Sequence, residues 1–280
     1  MLRTSSLRLC GSGDLDEALA VLDRDPVSNV FVASRVLAAG LEPWRLGGEM
    51  WAHVVDGRFD ALCYAGANLV PIEAGPDAVR AFADRARRQG RRCSSIVGPA
   101  GSVLTLWELL RPHWGPARDV RWRQPLCVLD GPPLVPADPL VRLVQPEEID
   151  ALLPACVAMF TEEVGVSPTD HDGGTLYRAR VSELVRGGRS FARFEDGRVV
   201  FKAEVGAVTP IACQVQGVWV APDRRGRRLS VGGMAAVVRL ARASLAPVVS
   251  LYVNDYNRPA RAAYARVGFR EVGMFTSVLF

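Results

Sequence analysis

Gly217-Val218-Trp219-Val220-Ala221-Pro222-Asp223-Arg224-Arg225-Gly226-Arg227-Arg228-Leu229-Ser230 runs from an apolar segment into a turn dense in Arg and Gly. β-Branched and aromatic residues before Ala221 favour a strand. A helix is expected to start near Ser230. A turn that opens a helix presents unpaired backbone N–H groups and the positive end of the helix dipole, a setting that suits an anion. Arg224, Arg225, Arg227 and Arg228 add planar, charge-assisted donors of the kind that grip phosphate.

Periodicity extends the pattern in both directions. Downstream, residues 231–244 read as a helix, 248–253 as a strand, 258–267 as a helix and 272–280 as a closing strand. Upstream, residues 141–144 read as a strand and 146–161 as a helix. Glu147 and Glu148 fall in that helix's first turn, where its dipole favours them. A second helix over 175–185 stops at Gly187-Gly188. Strands 190–194 and 198–208 are joined through Asp196-Gly197, a hairpin signal, and 212–220 is a long apolar strand.

The first half has the same order. Helices are expected over 14–23, from Ser28-Asn29 to 39, over 77–88 and over 103–110. Strands are expected over 50–55 and 59–64, joined by Asp56-Gly57, and over 93–97 and 120–129. Between the halves lies Gly131-Pro132-Pro133-Leu134-Val135-Pro136-Ala137-Asp138-Pro139, too rich in proline for a helix or central strand. The expected division is a domain over 1–130, a linker over 131–140 and a domain over 141–280. Matching element orders suggest a tandem duplication.

A second motif lies in Asn257-Arg258-Pro259-Ala260-Arg261-Ala262-Ala263-Tyr264-Ala265-Arg266-Val267-Gly268-Phe269. Together with Val220, Pro222, Arg225 and Gly226, the residues Asn257, Ala260, Tyr264, Gly268 and Phe269 resemble the GNAT superfamily of N-acetyltransferases. Met159 to Gly165 and Ser250 to Asn257 look like a two-domain actinobacterial group of that superfamily, whose N-terminal domain has no assigned function. The resemblance implies an α/β (α+β) fold of two tandem GNAT-like domains, each a mixed twisted sheet flanked by helices. The first domain would be a degenerate copy, since its segment 66–76 has no basic residue to hold pyrophosphate.

The resemblance also implies acetyl-CoA as cofactor and transfer of an acetyl or short acyl group to a primary amine by direct attack. The pantetheine arm would pair with the backbone of Val218, Trp219 and Val220. The pyrophosphate would sit on the N–H groups of Arg225, Gly226, Arg227, Arg228, Leu229 and Ser230. Asn257 would bind the cofactor arm, and Tyr264 would protonate the departing thiolate. Many members carry a Glu six residues ahead of Val220; here that position is Gln214, which can hold a water but cannot act as a base. Glu162, Glu163 and Glu204 are the other candidate proton acceptors. Strand alternation puts Glu204 with Lys202 on one face, where a plain surface pair is the simplest expectation. Two positions depart from the family pattern: Arg228 replaces a glycine and Ser230 a Gly or Ala.

Composition narrows the alternatives. A net charge of +4 is too mild for a nucleic-acid binder, and the basic charge is carried by Arg with Lys202 as the single lysine. This weighs against an aminoacyl transferase that uses charged tRNA. A non-catalytic acyl-CoA-binding or ligand-sensing module is the other alternative. Cys10, Cys63, Cys93, Cys127, Cys156 and Cys213 are scattered through mostly apolar runs, so buried free thiols in a reducing cytoplasm are expected. His53, His113 and His171 are too dispersed for a metal site, so no metal is expected. No apolar run reaches the roughly 20 residues of a membrane span, and no signal-peptide core is seen. The partner expected is a small-molecule or peptide amine, without nucleic acid or membrane; a homodimer is compatible with the sequence.

Overall fold

Two Asp-Gly dipeptides make two hairpin turns. Asp56 (φ 50°) with Gly57 (φ 80°), and Asp196 (φ 48°) with Gly197 (φ 77°), hold the left-handed pair that a two-residue hairpin turn requires. Each turn joins antiparallel strands, as expected. The computed structural model describes residues 4–170 and 173–280; His171 lies outside the described residues.

In chain order the elements are β1 (Ser5–Leu9), α1 (Leu15–Leu22), α2 (Val30–Ala39), α3 (Pro43–Leu46), β2 (Gly48–Val55), β3 (Arg58–Gly66), β4 (Asn68–Ile72), α4 (Pro76–Gln89), β5 (Ser95–Pro99), α5 (Ala100–Trp114) and β6 (Asp119–Leu129). They continue with β7 (Arg142–Leu143), α6 (Ile149–Val164), α7 (Thr175–Arg186), β8 (Ser190–Glu195), β9 (Arg198–Val208), β10 (Ala212–Val220), α8 (Leu229–Ser244), β11 (Val248–Tyr252), α9 (Arg258–Val267) and β12 (Arg270–Leu279). The chain forms two units. One is Met1–Leu126, Tyr252–Asp255 and Val272–Phe280; the other is Cys127–Leu251 and Tyr256–Glu271.

In the first unit the strand order is β1-β2-β3-β4-β5-β12-β6, with β4 and β5 parallel. Two expectations change here. Residues 68–72, where no strand is expected, form β4; Pro71 and the flanking glycines masked a short strand that pairs with β3 from Leu62↔Ile72 to Ala65↔Leu69. Residues 272–280, expected to close the second half, lie in this unit, and β12 pairs antiparallel with β5 from Phe275↔Pro99 to Leu279↔Ser95. An apolar strand shows in sequence that it will be paired, but not with which edge.

In the second unit the order is β11-β10-β9-β8-β7. Neighbouring residues of β9 reveal its layers. Lys202 reaches Cys156 of α6, and Phe201 meets Gly233 of α8. Successive strand side chains point to opposite faces, so α6 and α8 cover opposite faces of the sheet. α8 is buried almost all round, with Gly233 to Val238 inaccessible or nearly so. The proline-rich segment is no loose tether. Leu134 N–H donates to Val267 O at 2.9 Å, Asp138 N–H to Gly232 O at 2.9 Å, and Arg193 Nη1 to Asp138 Oδ2 at 2.9 Å. All six cysteines are free and buried, as expected. Among the described residues, no helix is long and apolar enough to cross a membrane.

Candidate active site

The site begins where two parallel strands part. β10 and β11 pair at Ala212↔Val248, Cys213↔Val249 and Gln214↔Ser250, and no further. β10 continues to Val220 beside β9. Against β9 its register passes from Gln216↔Glu204 to Trp219↔Lys202, so Gly217 and Val218 face the single residue Ala203. This is a β-bulge, and Gly217 takes a left-handed φ of 59° within it. Bulges bend a strand and end its pairing. The N–H and C=O groups of Val218, Trp219 and Val220 that point away from β9 therefore form an edge that another extended chain can pair with. Gln214 is the last β10 residue paired before the strands part, and it is buried.

The Arg-rich turn divides its arginines between two tasks. Arg224 Nε donates to Glu195 Oε2 at 3.0 Å and Arg224 Nη1 to Asp223 Oδ2 at 3.2 Å. Arg225 Nη2 donates to Glu162 Oε2 at 2.7 Å, and its Nε to Val220 O at 3.1 Å. These two arginines tie the turn to its own unit. Arg227 and Arg228 are exposed, and their guanidinium groups make no hydrogen bond or ion pair with any described residue. No side chain caps the N-terminus of α8; Val231 N–H turns back to Arg228 O at 3.0 Å, and the N–H groups of Leu229 and Ser230 stay open beside those two guanidinium groups.

Arg228 adopts the backbone geometry that a glycine would favour. It is the N-cap of α8 at φ 60°, ψ 17°. A side chain in this region costs about 1 kcal/mol, partly offset because glycine loses more freedom on folding. Arg228→Gly is therefore expected to raise stability by about 0.5 kcal/mol. A urea midpoint that moves upward confirms this; one that moves downward refutes it.

The second motif forms α9 and its ends. Asn257 caps the helix, with Oδ1 accepting from Ala260 N–H at 3.2 Å. The cap uses one lone pair of Oδ1, which leaves its second lone pair and the Nδ2 group for the arm contact expected of Asn257. Gly268 ends the helix at φ 114°, and the chain turns so that Phe269 meets Tyr264 edge to face, centroids 5.9 Å apart. Tyr264 is 8% exposed. Burial pushes its phenol up from the ordinary tyrosine range, and the charge of Glu163 and the thiol of Cys127 push the same way. The phenol is therefore protonated across the neutral range.

The candidate carboxylates separate. Glu162 is held by Arg225 and by Trp219 Nε1 at 3.1 Å, so it anchors the Arg-rich turn to the end of β10. Glu163 acts on two phenols, Tyr264 and Tyr177, and burial raises Tyr177 most. Tyr177, which no sequence motif marks, donates to Cys156 O at 3.0 Å and meets Phe160 edge to face. Lys202 and Glu204 do share a face, but that face is interior: Lys202 is 0% exposed and Glu204 8%. A surface pair was the expectation; α6 covers this face of the sheet and makes the pair internal. The only prior hint was a lone lysine in a chain that otherwise uses arginine.

Residues 157–269 match the acetyltransferase (GNAT) family. They are a GNAT acetyltransferase domain. Residues 48–152 match a domain of unknown function, DUF4081. No curated protein matches the chain. Solved structures similar over nearly the whole chain include a GNAT-family acetyltransferase from Colwellia psychrerythraea (12% identity, 98% of this chain and 99% of that one, TM-score 0.56). Another is a GCN5-related N-acetyltransferase from Sphaerobacter thermophilus (18%, 98% and 94%, 0.60). A third is a tandem GNAT protein from the clavulanic acid biosynthesis pathway (15%, 99% and 98%, 0.57). At these identities the likeness is one of fold: a mixed α/β arrangement with a twisted sheet flanked by helices. The GNAT domain supports acyl transfer in general. It contains the bulged β10, the Arg-rich turn, Glu163 and Tyr264.

Proposed function

We propose that this protein transfers an acetyl or short acyl group from acetyl-CoA to a primary amine. The observation that carries this reading is the parting of β10 and β11 after Gln214↔Ser250, directly ahead of an uncapped helix beside two unpaired arginines. The residues fit the cofactor. The outward edge of Val218, Trp219 and Val220 suits an amide-bearing arm, although Val220 O already accepts from Arg225 Nε. The open N–H groups of α8 with Arg227 and Arg228 suit a pyrophosphate. Gly226 (φ 76°) has open space where a side chain would project, so an anion can approach its backbone.

When bound, acetyl-CoA supplies a thioester carbonyl open to attack. Glu163 accepts a proton from the acceptor amine, whose nitrogen then forms the new C–N bond. Tyr264 would hold a proton at its hydroxyl for the departing thiolate, and Glu163 would hold the proton taken from the amine. Net, one proton passes from amine to thiol. Glu162 acts through Arg225 on the shape of the loop rather than on the proton. Gln214 orients a water or the acceptor. A tandem pair of GNAT-like domains, the first lacking a phosphate turn, accompanies this reading; the whole-chain likeness to a tandem GNAT structure supports it.

Calorimetry with acetyl-CoA tests the cofactor, and thiol release with a panel of amines tests the reaction. Saturable binding and amine-dependent release are expected, with Glu163→Gln losing turnover while binding is retained. No heat at millimolar ligand sinks the cofactor. Binding without release from any amine makes the chain an acyl-CoA-binding module, the reading that Gln214 in place of a carboxylate favours.

A further inference from the structure

We propose that the buried Lys202–Glu204 pair, with Gln216, is a brace that sets the β10 bulge, which makes these three positioning residues for the strand that would hold the cofactor arm. The register carries the argument. The bulge lies between the pairs Gln216↔Glu204 and Trp219↔Lys202. The two charged residues are thus the β9 partners on either side of it, and they point to the same face. Lys202 Nζ donates to Glu204 Oε2 at 2.8 Å and to Cys156 Sγ at 3.4 Å. Gln216 Nε2 donates to Glu204 Oε1 at 3.1 Å, which links the brace across to β10.

Two glycines make room for it. A Cβ on Gly206 would fall 2.3 Å from Gln216 Oε1, and one on Gly217 would fall 3.1 Å from both Glu204 Cδ and Met159 Cε. Stability alone does not account for the pair. Buried ion pairs are often matched or exceeded by apolar residues of similar volume, and their best-attested use is to fix register. Register matters here because a slip by one residue turns every side chain of the strand to the other face. The single lysine also fits: at 0% exposure, a compact ammonium on a thin stem reaches both partners where a planar guanidinium needs more volume.

The effect on the cofactor rests on the proposed function; the effect on the bulge does not. Lys202→Met, Glu204→Gln and the double variant are compared in thermal midpoint, in amide hydrogen exchange over residues 214–220 without ligand, and in acetyl-CoA affinity by calorimetry. Each single variant leaves an unmatched buried group and is expected to melt earlier than the parent. The double variant is neutral and is expected to regain the parent's midpoint, yet to exchange about tenfold faster over 214–220 and to bind acetyl-CoA about tenfold more weakly. Parental exchange in the double variant overturns the brace. Faster exchange in a protein whose parent does not bind acetyl-CoA upholds the brace and removes the cofactor reading instead. If the double variant fails to fold, Gln216→Met removes the cross-strand donor without touching either charge, and the same exchange readout decides.

Discussion

Tyr264→Phe is expected to lower kcat for amine-dependent thiol release by about 10²-fold, the low end for loss of a general acid. The KM for acetyl-CoA is expected to stay within about twofold, because the change removes an interaction made in the transition state rather than in binding. The substitution is clean. The ring is buried and packs edge to face on Phe269, so phenylalanine keeps the packing and loses only the hydroxyl. The defect should be flat from about pH 6 to pH 9, because burial and Glu163 hold the phenol protonated throughout that window. A kcat within about twofold of the parent removes Tyr264 from the chemistry and leaves it a packing residue of α9.

Gly233→Ala is expected to cost about 2–3 kcal/mol of stability. A Cβ at this position would lie 2.6–2.7 Å from three carbons of the Phe201 ring. Phe201 is 0% exposed and cannot swing into solvent, so either the ring or α8 must shift. α8 follows directly from the Arg-rich turn, and a shifted helix moves the open N–H groups with it. Weaker acetyl-CoA binding should therefore accompany the lower urea midpoint. Phe201→Leu in the Gly233→Ala background should restore part of both, since it makes room for the added methyl group. An unchanged midpoint in Gly233→Ala means that α8 and β9 have slack at this contact.

Much of the candidate site was readable because its signals are local. The turn at Asp196-Gly197 needs only two residues that tolerate positive φ. The end of α9 needs only a glycine that can turn left and an apolar residue to fold back. The Arg-rich turn stood out because a turn opening a helix exposes donors whatever surrounds it. Even Arg228 showed its difference in sequence, although only the backbone showed that it adopts the glycine conformation.

The distant pairings were not readable. Four arginines within five positions look alike in sequence; Glu195 and Glu162 take up Arg224 and Arg225, and the guanidinium groups of Arg227 and Arg228 have no partner among the described residues. Lys202 and Glu204 alternate as any strand pair does; α6, some 46 residues earlier, makes them internal by setting Cys156 over them. β12 is plainly a strand, but its place beside β5 depends on a strand edge formed by residues far earlier in the chain. From sequence alone came most of the elements, their turns and the Arg-rich turn ahead of α8, because neighbouring residues encode periodicity and backbone preference. The tertiary structure alone decided which charges are occupied, which are interior and which strands pair, because burial and ion pairing depend on groups far apart in the chain.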